Sequence, residues 1–275
     1  MTTKTIKSMK LYSAVERIYN DLRSEGFGRA DPLDVEVLAR FDQLHYHGTD
    51  AVDLAARSLG IAEGSQVLDV GAGFGGPARW LAARTGARVT AVELQADMNA
   101  TARDLTARCG LAETVTHVEG DILRTPLEAE AYDGVMSFLA LYHIPERAPL
   151  YPQLCQACRP GARLYVEDLY QRSPFDDDER PDLEHMLYAN TLPDREGYVA
   201  ELEQAGWRDV EFHDMTADWT EFTEGRLAAF RAASARHLTV HGPDVVEALD
   251  TFYDTIVRLF RRGNLGGVRL TASKP

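Results

Sequence analysis

From residue 65 to residue 170 the chain alternates short apolar runs, rich in β-branched residues, with stretches whose apolar positions recur at helical spacing. The runs SQVLDVG, RVTAVEL, THVEGD, YDGVMSFLA and ARLYVEDLY predict strands. Helices are expected from Pro77 to about Arg84, from the second strand through Cys109, and from about Glu146 to Cys158. Nearly unbroken apolar strands separated by helices are parallel strands buried on both faces. The pattern therefore predicts an α/β fold built on a doubly wound sheet.

The flanks follow a different rhythm. Leu11, Val15, Ile18, Tyr19 and Leu22 share one face of a helix that stops at Gly26, and a second helix covers roughly 33 to 43. HYHG breaks the pattern, and a helix over 49–59 follows, with Thr49 expected as its N-cap. Beyond 170, SPFDDDERPDLEHMLYANTLP is too long and acidic for a simple connection and is read as a lid. Next come a helix over 194–205, a strand around WRDVEFHDM, helices over about 221–238 and 243–261, and a last strand, GGVRLTAS. The expected organisation is an N-terminal helical lid over 1–60 and a core over 61–275, with cap insertions at about 171–193 and 219–262.

Composition narrows the function. The 275 residues are 45% hydrophobic, which suits one α/β domain with an added cap. A formal net charge of −14 argues against nucleic acid and membrane surfaces, both polyanionic, and is compatible with an enzyme acting on a small molecule. The three cysteines, Cys109, Cys155 and Cys158, make no disulfide framework. Cys155 and Cys158 are read as buried thiols on one helix. No run is long enough for a membrane span, and the first residues lack the apolar core of a secretion signal, so a cytoplasmic location is expected.

The chemistry gathers around VLDVGAGFGGP. Gly71, Gly73 and Gly76 satisfy G-x-G-x-x-G, a pattern shared with dinucleotide sites, and Pro77 suits the first turn of the helix that follows. The absence of G-K-[ST] excludes a triphosphate loop. Asp69, two residues before the first glycine, would repel a pyrophosphate but suits a sulfonium or an ammonium. Glu93 closes the next strand, where an acid accepts ribose hydroxyls, and Asp121 closes the third. Three acids around a glycine turn describe a cationic ligand with a ribose and an adenine, S-adenosylmethionine.

VLDVGAGFGG followed by AVEL, GDIL, YDGVMSFLALYHI and RPGARLYVED resembles the class I S-adenosylmethionine-dependent methyltransferases, across about 60 to 170. The resemblance implies a mostly parallel, seven-stranded Rossmann-like sheet with N-terminal helices and a helical cap. It also implies that Asp69, Gly71 and Gly73 hold the methionine portion, and that Glu93, with Leu94 beside it, holds the ribose. Asp121 and Ile122 would meet the adenine, and Gln43, His45 and Tyr46 would lie over the carboxylate end.

Within the class the chain is similar to small-metabolite enzymes that methylate sarcosine and dimethylglycine, phosphoethanolamine or sugar hydroxyls. FDQLHYHGTDAVDLA, GGPARWLA and ALYHIPER carry that likeness. SFLALYH stands where base methyltransferases carry [DN]-P-P-[FY], which argues against a nucleic-acid substrate. His143 matches a histidine that pairs with an N-terminal tyrosine in the phosphoethanolamine enzymes. It is read either as a base or as a group that binds a loop or positions substrate. Tyr12 and Tyr19 are the candidate partners, and their spacing equally suits core packing. Leu139 stands four residues before His143, where several amine-methylating relatives have an acid. Tyr142, Asp168 and Tyr170 are further candidates for the acceptor pocket, with a structural role for Asp168 equally open.

No metal is expected, because His45 and His47 lack a nearby third ligand. The DDDE run over 176–179 is read as a solvated lid face, and Arg258, Arg261 and Arg262 as a basic helix end. The expected reaction is methyl transfer to a small molecule, with nitrogen narrowly ahead of oxygen or carbon and S-adenosylhomocysteine as co-product. A protein that binds the cofactor without catalysis, and a nicotinamide oxidoreductase, are the rival readings.

Overall fold

The computed structural model describes residues 15–189 and 191–275. Three helices come first: α1 (Arg17–Ser24), α2 (Val35–Asp42) and α3 (Gly48–Leu59). The alternating core follows: β1 (Gln66–Val70), α4 (Gly76–Thr85), β2 (Arg88–Glu93), α5 (Ala96–Arg108), β3 (Val115–Glu119), β4 (Tyr132–Phe138), α6 (Leu150–Ala157) and β5 (Cys158–Gln171). The last part contains α7 (Arg180–His185), α8 (Arg195–Gln204), β6 (Arg208–Asp214), α9 (Thr216–Ala232), α10 (Ser234–His241), α11 (Pro243–Arg262) and β7 (Leu265–Ser273).

The seven strands lie in the order β3-β2-β1-β4-β5-β7-β6. The first five pair in parallel, and β7 runs antiparallel between β5 and β6. β1 pairs β2 on one side and β4 on the other, so the chain reverses its direction of travel across the sheet there. Loops leaving β1 and β4 part at this point and open a crevice at the carboxyl ends of the strands.

Alternation along the strands builds the core on both faces. Leu68, Val70, Val135, Leu164 and Val166 face Tyr151, Leu154, Tyr198 and Trp207. Val67, Val89, Ala91, Met136 and Tyr165 face Val52 and Ala55 of α3 and Ala78 and Leu81 of α4. Each fully buried side chain of this size stabilises by about 1.5–3 kcal/mol. A third cluster lies under the cap, where Trp219, Ile256, Leu259 and Phe260 of α9 and α11 meet Leu183 and Leu187 of the lid. The N-terminal helices bring Ile18, Leu22 and Leu38 against Phe74 and Met98, next to the glycine loop.

Several boundaries differ from the sequence reading. The helix expected from Glu146 begins at Leu150, because Pro149 fixes its φ and the chain between Pro145 and Pro149 stays irregular. Cys158 leaves that helix for β5, drawn in by pairing with Tyr132, so Cys155 and Cys158 sit on different elements, both buried. Helix α9 starts at Thr216, with Met215 as its N-cap, and Asp214 just before it accepts the Thr216 N–H at 2.9 Å. A break at Ala233 then separates α9 from α10. Thr49 lies inside α3, whose N-cap is His47 in a left-handed conformation with no side-chain cap bond.

Asp176, Asp177 and Asp178 of the acidic segment are exposed, as expected of a solvated face, whereas Glu179 turns inward. Asp178 pairs with Arg262, and Asp182 with Arg258 at 2.5 Å. Glu179 is 1% exposed and accepts the Asp176 N–H and the Asn264 amide, each at 2.8 Å. Arg261 pairs with Glu224 at 2.6 Å. Among the described residues no helix is long and apolar enough to cross a membrane.

Candidate cofactor and acceptor site

The crevice between β1 and β4 holds a cavity of about 740 Å³, a size typical of small-molecule sites. β1 delivers Asp69, and the chain then turns sharply. The Gly71 and Ala72 N–H groups donate to the Val92 carbonyl at 2.9 and 3.1 Å. Gly71 has φ +75°, and a Cβ there would lie 2.2 Å from Cβ of Ala140, so only glycine lets the loops after β1 and β4 touch. Pro77 opens α4 as expected, with the free N–H groups of its first turn toward the loop.

Asp69, Gly71, Gly73 and Glu93 line one side of the cavity, with Leu94, Asp121 and Ile122 further along. Asp69 is 1% exposed, and its Oδ2 has no hydrogen-bond partner among the described residues. Burial, reinforced by the Glu93 carboxylate, pushes its pKa up to about 8. Glu93 accepts the Gly73 and Gln95 N–H groups, both at 2.8 Å, and burial raises its pKa as well. Asp121 accepts the Leu123 N–H at 3.1 Å and stands 3.9 Å from Arg124. A buried carboxylate with an unsatisfied oxygen beside a second acid is costly alone and is relieved by a cation. The donor set fits a sulfonium ligand bearing a ribose.

The opposite wall comes from the end of β4. Leu139 is left-handed, with φ +50°, and its N–H donates to the Glu167 carbonyl at 2.7 Å. This strained turn aims the apolar side chain at the cavity and at the cap cluster together. A 3₁₀ turn over Leu141–His143 follows. His143 lines the cavity, and neither ring nitrogen makes a hydrogen bond of good geometry among the described residues. Burial lowers its pKa to about 4, so the imidazole is neutral at ordinary pH. His45 also lines the cavity, with Nε2 2.9 Å from the Gly48 carbonyl and its ring 4.5 Å from that of Phe138.

Other sequence candidates lie elsewhere. Tyr19 donates to Asp104 at 2.9 Å, under the Arg29 guanidinium, and packs with the N-terminal cluster rather than near His143. Tyr12 lies outside the described residues. Gln43 bonds Asp42 at 2.9 Å and packs behind the glycine loop. Tyr46 turns into the cap, edge-on to Trp219 and under Arg226. Tyr170 faces away, against Phe212.

Asp168 is wholly buried and accepts the Tyr142 N–H at 3.2 Å and the Tyr198 hydroxyl, so it braces the 3₁₀ turn from behind instead of facing a substrate. The Tyr142 ring covers that of His143 at 3.9 Å without lining the cavity itself. Asp42, Leu44, Phe74 and Phe138 do line it and escaped the sequence reading. Asp42 directly precedes Gln43 in FDQLHYHG, so the segment was the right one and the side chain was not. Among the described residues no cluster of His, Cys, Asp and Glu is arranged to hold a metal ion.

A seven-stranded sheet ending in an antiparallel β7, with acids closing β1 and β2 beside a glycine turn, defines a class I methyltransferase architecture. Residues 68–166 match the family described as "Methyltransferase domain", the stretch that carries the end of β1, the glycine turn and the acids closing β1 and β2. It is 27% identical to Methyltransferase GfsG of Streptomyces halstedii, over 89% of this chain and 84% of that one. It is 26% identical to 24-methylenesterol C-methyltransferase 2 of Arabidopsis thaliana, over 81% of this chain and 65% of that one. Its fold superposes on phosphoethanolamine N-methyltransferase 2 of Haemonchus contortus, crystallised with S-adenosylhomocysteine, with a TM-score of 0.83 at 18% identity. That match covers 98% of this chain and 60% of the nematode enzyme.

Proposed function

We propose that the chain transfers the methyl group of S-adenosylmethionine to an oxygen of a small, mainly apolar and uncharged acceptor. When bound, the cofactor supplies a methyl group already activated on a sulfonium sulfur. Asp69 compensates positive charge at the methionine end, Glu93 accepts from the ribose hydroxyls, and Asp121 with Ile122 meets the adenine. His45 and the glycines close the methionine end. The N-terminal helices and the segments 171–193 and 219–262 serve as lid and cap, which exclude water and hold the acceptor in line.

Leu139 carries the acceptor reading. A carboxylate would favour an ammonium acceptor, yet the side chain at this point of the wall is apolar and backed by the cap cluster, and Glu146, which also lines the cavity, is exposed to water. The neighbouring acid, Asp168, is engaged by Tyr142 and Tyr198. This moves the balance from nitrogen, which the sequence favoured narrowly, to oxygen. The neutral His143, its pKa lowered to about 4, is a weak base, and its unpartnered ring nitrogens serve to hydrogen-bond and orient the hydroxyl as the methyl group is transferred. A carbon acceptor is the second reading, favoured by the likeness to a sterol C-methyltransferase.

The test is release of S-adenosylhomocysteine with matched panels of phenols and alcohols, amines, and unsaturated isoprenoids. Turnover confined to hydroxyl acceptors, reduced in His143→Ala, is the expected result. Turnover confined to amines would overturn the oxygen reading, and turnover confined to isoprenoids would establish carbon instead.

A further inference from the structure

Behind the glycine loop lies a buried polar knot whose side chains reach the cavity only through Asp42. Arg79, on α4, is 0% exposed. Its Nη2 donates to the Phe74 carbonyl at 2.6 Å and to Asp42 Oδ2 at 2.9 Å. Its Nη1 donates to Thr106 Oγ1 at 3.0 Å and to the Ala102 carbonyl at 3.2 Å. One guanidinium thus ties together α4, α5, the glycine loop and the end of α2. Asp42 is 3% exposed, receives the Gln43 amide on its other oxygen at 2.9 Å, and also forms part of the cavity wall.

The two consecutive glycines of GFGGPAR are explained by this knot. A Cβ at Gly75 would lie 2.5 Å from His117 Cε1 and 3.1 Å from Arg79 Nη1. At Gly76 it would lie 2.6 Å from the Asp42 carbonyl oxygen and 2.8 Å from Gln43 Nε2. The loop therefore rests directly on the ion pair, with no side chain between them.

We infer that Arg79 and Asp42 are positioning residues for the methionine end of the cofactor. Arg79 holds the loop from behind through the Phe74 carbonyl, and the same fork fixes Asp42, which with Leu44 walls that end of the cavity from the N-terminal side. The inference rests on the cofactor reading above. A fixed planar fork is needed because four acceptors are met in two directions. A lysine ammonium is a compact point charge and cannot reproduce that geometry.

Calorimetric titration of the full chain, as wild type, Arg79→Lys and Asp42→Asn, separates this from a purely structural role. The probes are S-adenosylhomocysteine and 5′-methylthioadenosine, which keeps the adenosine and the thioether but lacks the amino-acid part. Each variant should weaken S-adenosylhomocysteine by about tenfold, or about 1.4 kcal/mol. Methylthioadenosine binding should change by less than about twofold, since a tenfold step is the effect sought. Equal weakening of both ligands, unchanged binding of both, or a variant already unfolded at the titration temperature would each overturn the inference. Wild-type protein that binds neither ligand would refute the cofactor reading instead.

Discussion

At the scale of single residues the site is set by what burial does to charge. His143 is neutral because its surroundings disfavour the cation, which lowers its pKa from 6.5 to about 4. NMR titration of the ring should show His143 unprotonated down to about pH 5, where an ordinary histidine has already taken its proton. A midpoint near 6.5 would mean an open, solvated ring rather than one shielded from water. Asp168 makes a second test. The double-mutant cycle of Asp168→Asn and Tyr198→Phe, read by denaturant unfolding, should give a coupling of about 1 kcal/mol or more, as for contacting residues in one network. Additive effects would mean that the short contact between them contributes nothing.

Elements decide how the segment 171–189 is held. The segment joins α11 by ion pairs that water reaches, Asp178 with Arg262 and the half-buried Asp182 with Arg258. Each such pair contributes roughly 0–1 kcal/mol and is screened by salt. Beneath them Leu183 and Leu187 pack into the cap cluster, an attachment that salt does not weaken. Raising ionic strength from about 0.05 to about 0.5 M should therefore speed hydrogen exchange across 171–189 while leaving β1 to β5 unchanged. The same acceleration should appear at low salt in an Asp178→Asn, Asp182→Asn double variant. Exchange indifferent to both would show that the apolar contacts alone hold the lid.

Over the whole molecule, Asp69 links ligand binding to stability. Its pKa is 3.8 in the unfolded chain and about 8 in the fold. Between those values the unfolded state has lost a proton that the folded state keeps, so this group's contribution declines as pH rises through about 8. Without ligand, Asp69→Asn should melt above wild type by about 2 °C or more at pH near 8, with a smaller difference near pH 5. With S-adenosylmethionine the difference should narrow, because wild type gains about 2.7 kcal/mol at one hundred times Kd and the variant gains less. A pH-independent difference between the two proteins would show that the carboxyl is not held protonated.

The sheet and the acids at its strand ends are legible in the sequence for a local reason. A strand buried on both faces must be apolar throughout, so Asp69, Glu93 and Asp121 stand out where each run ends, and the glycines mark the turn. Tyr46, Asp168 and Tyr170 were less legible, because whether a side chain faces the cavity or its back depends on partners far along the chain. Tyr198, thirty positions from Asp168, and Phe212, forty-two from Tyr170, decide those directions. The pairing of Asp178 and Asp182 was hidden for the same reason, since their arginines lie on α11, about eighty residues away. By itself the sequence determined the order of elements, the cofactor and the acids closing the strands, because these follow from local periodicity and chemistry. Only the tertiary structure decided which side chains share the cavity and that Arg79 and Asp42 lock behind the loop, because burial and hydrogen-bond partners are properties of the packed chain.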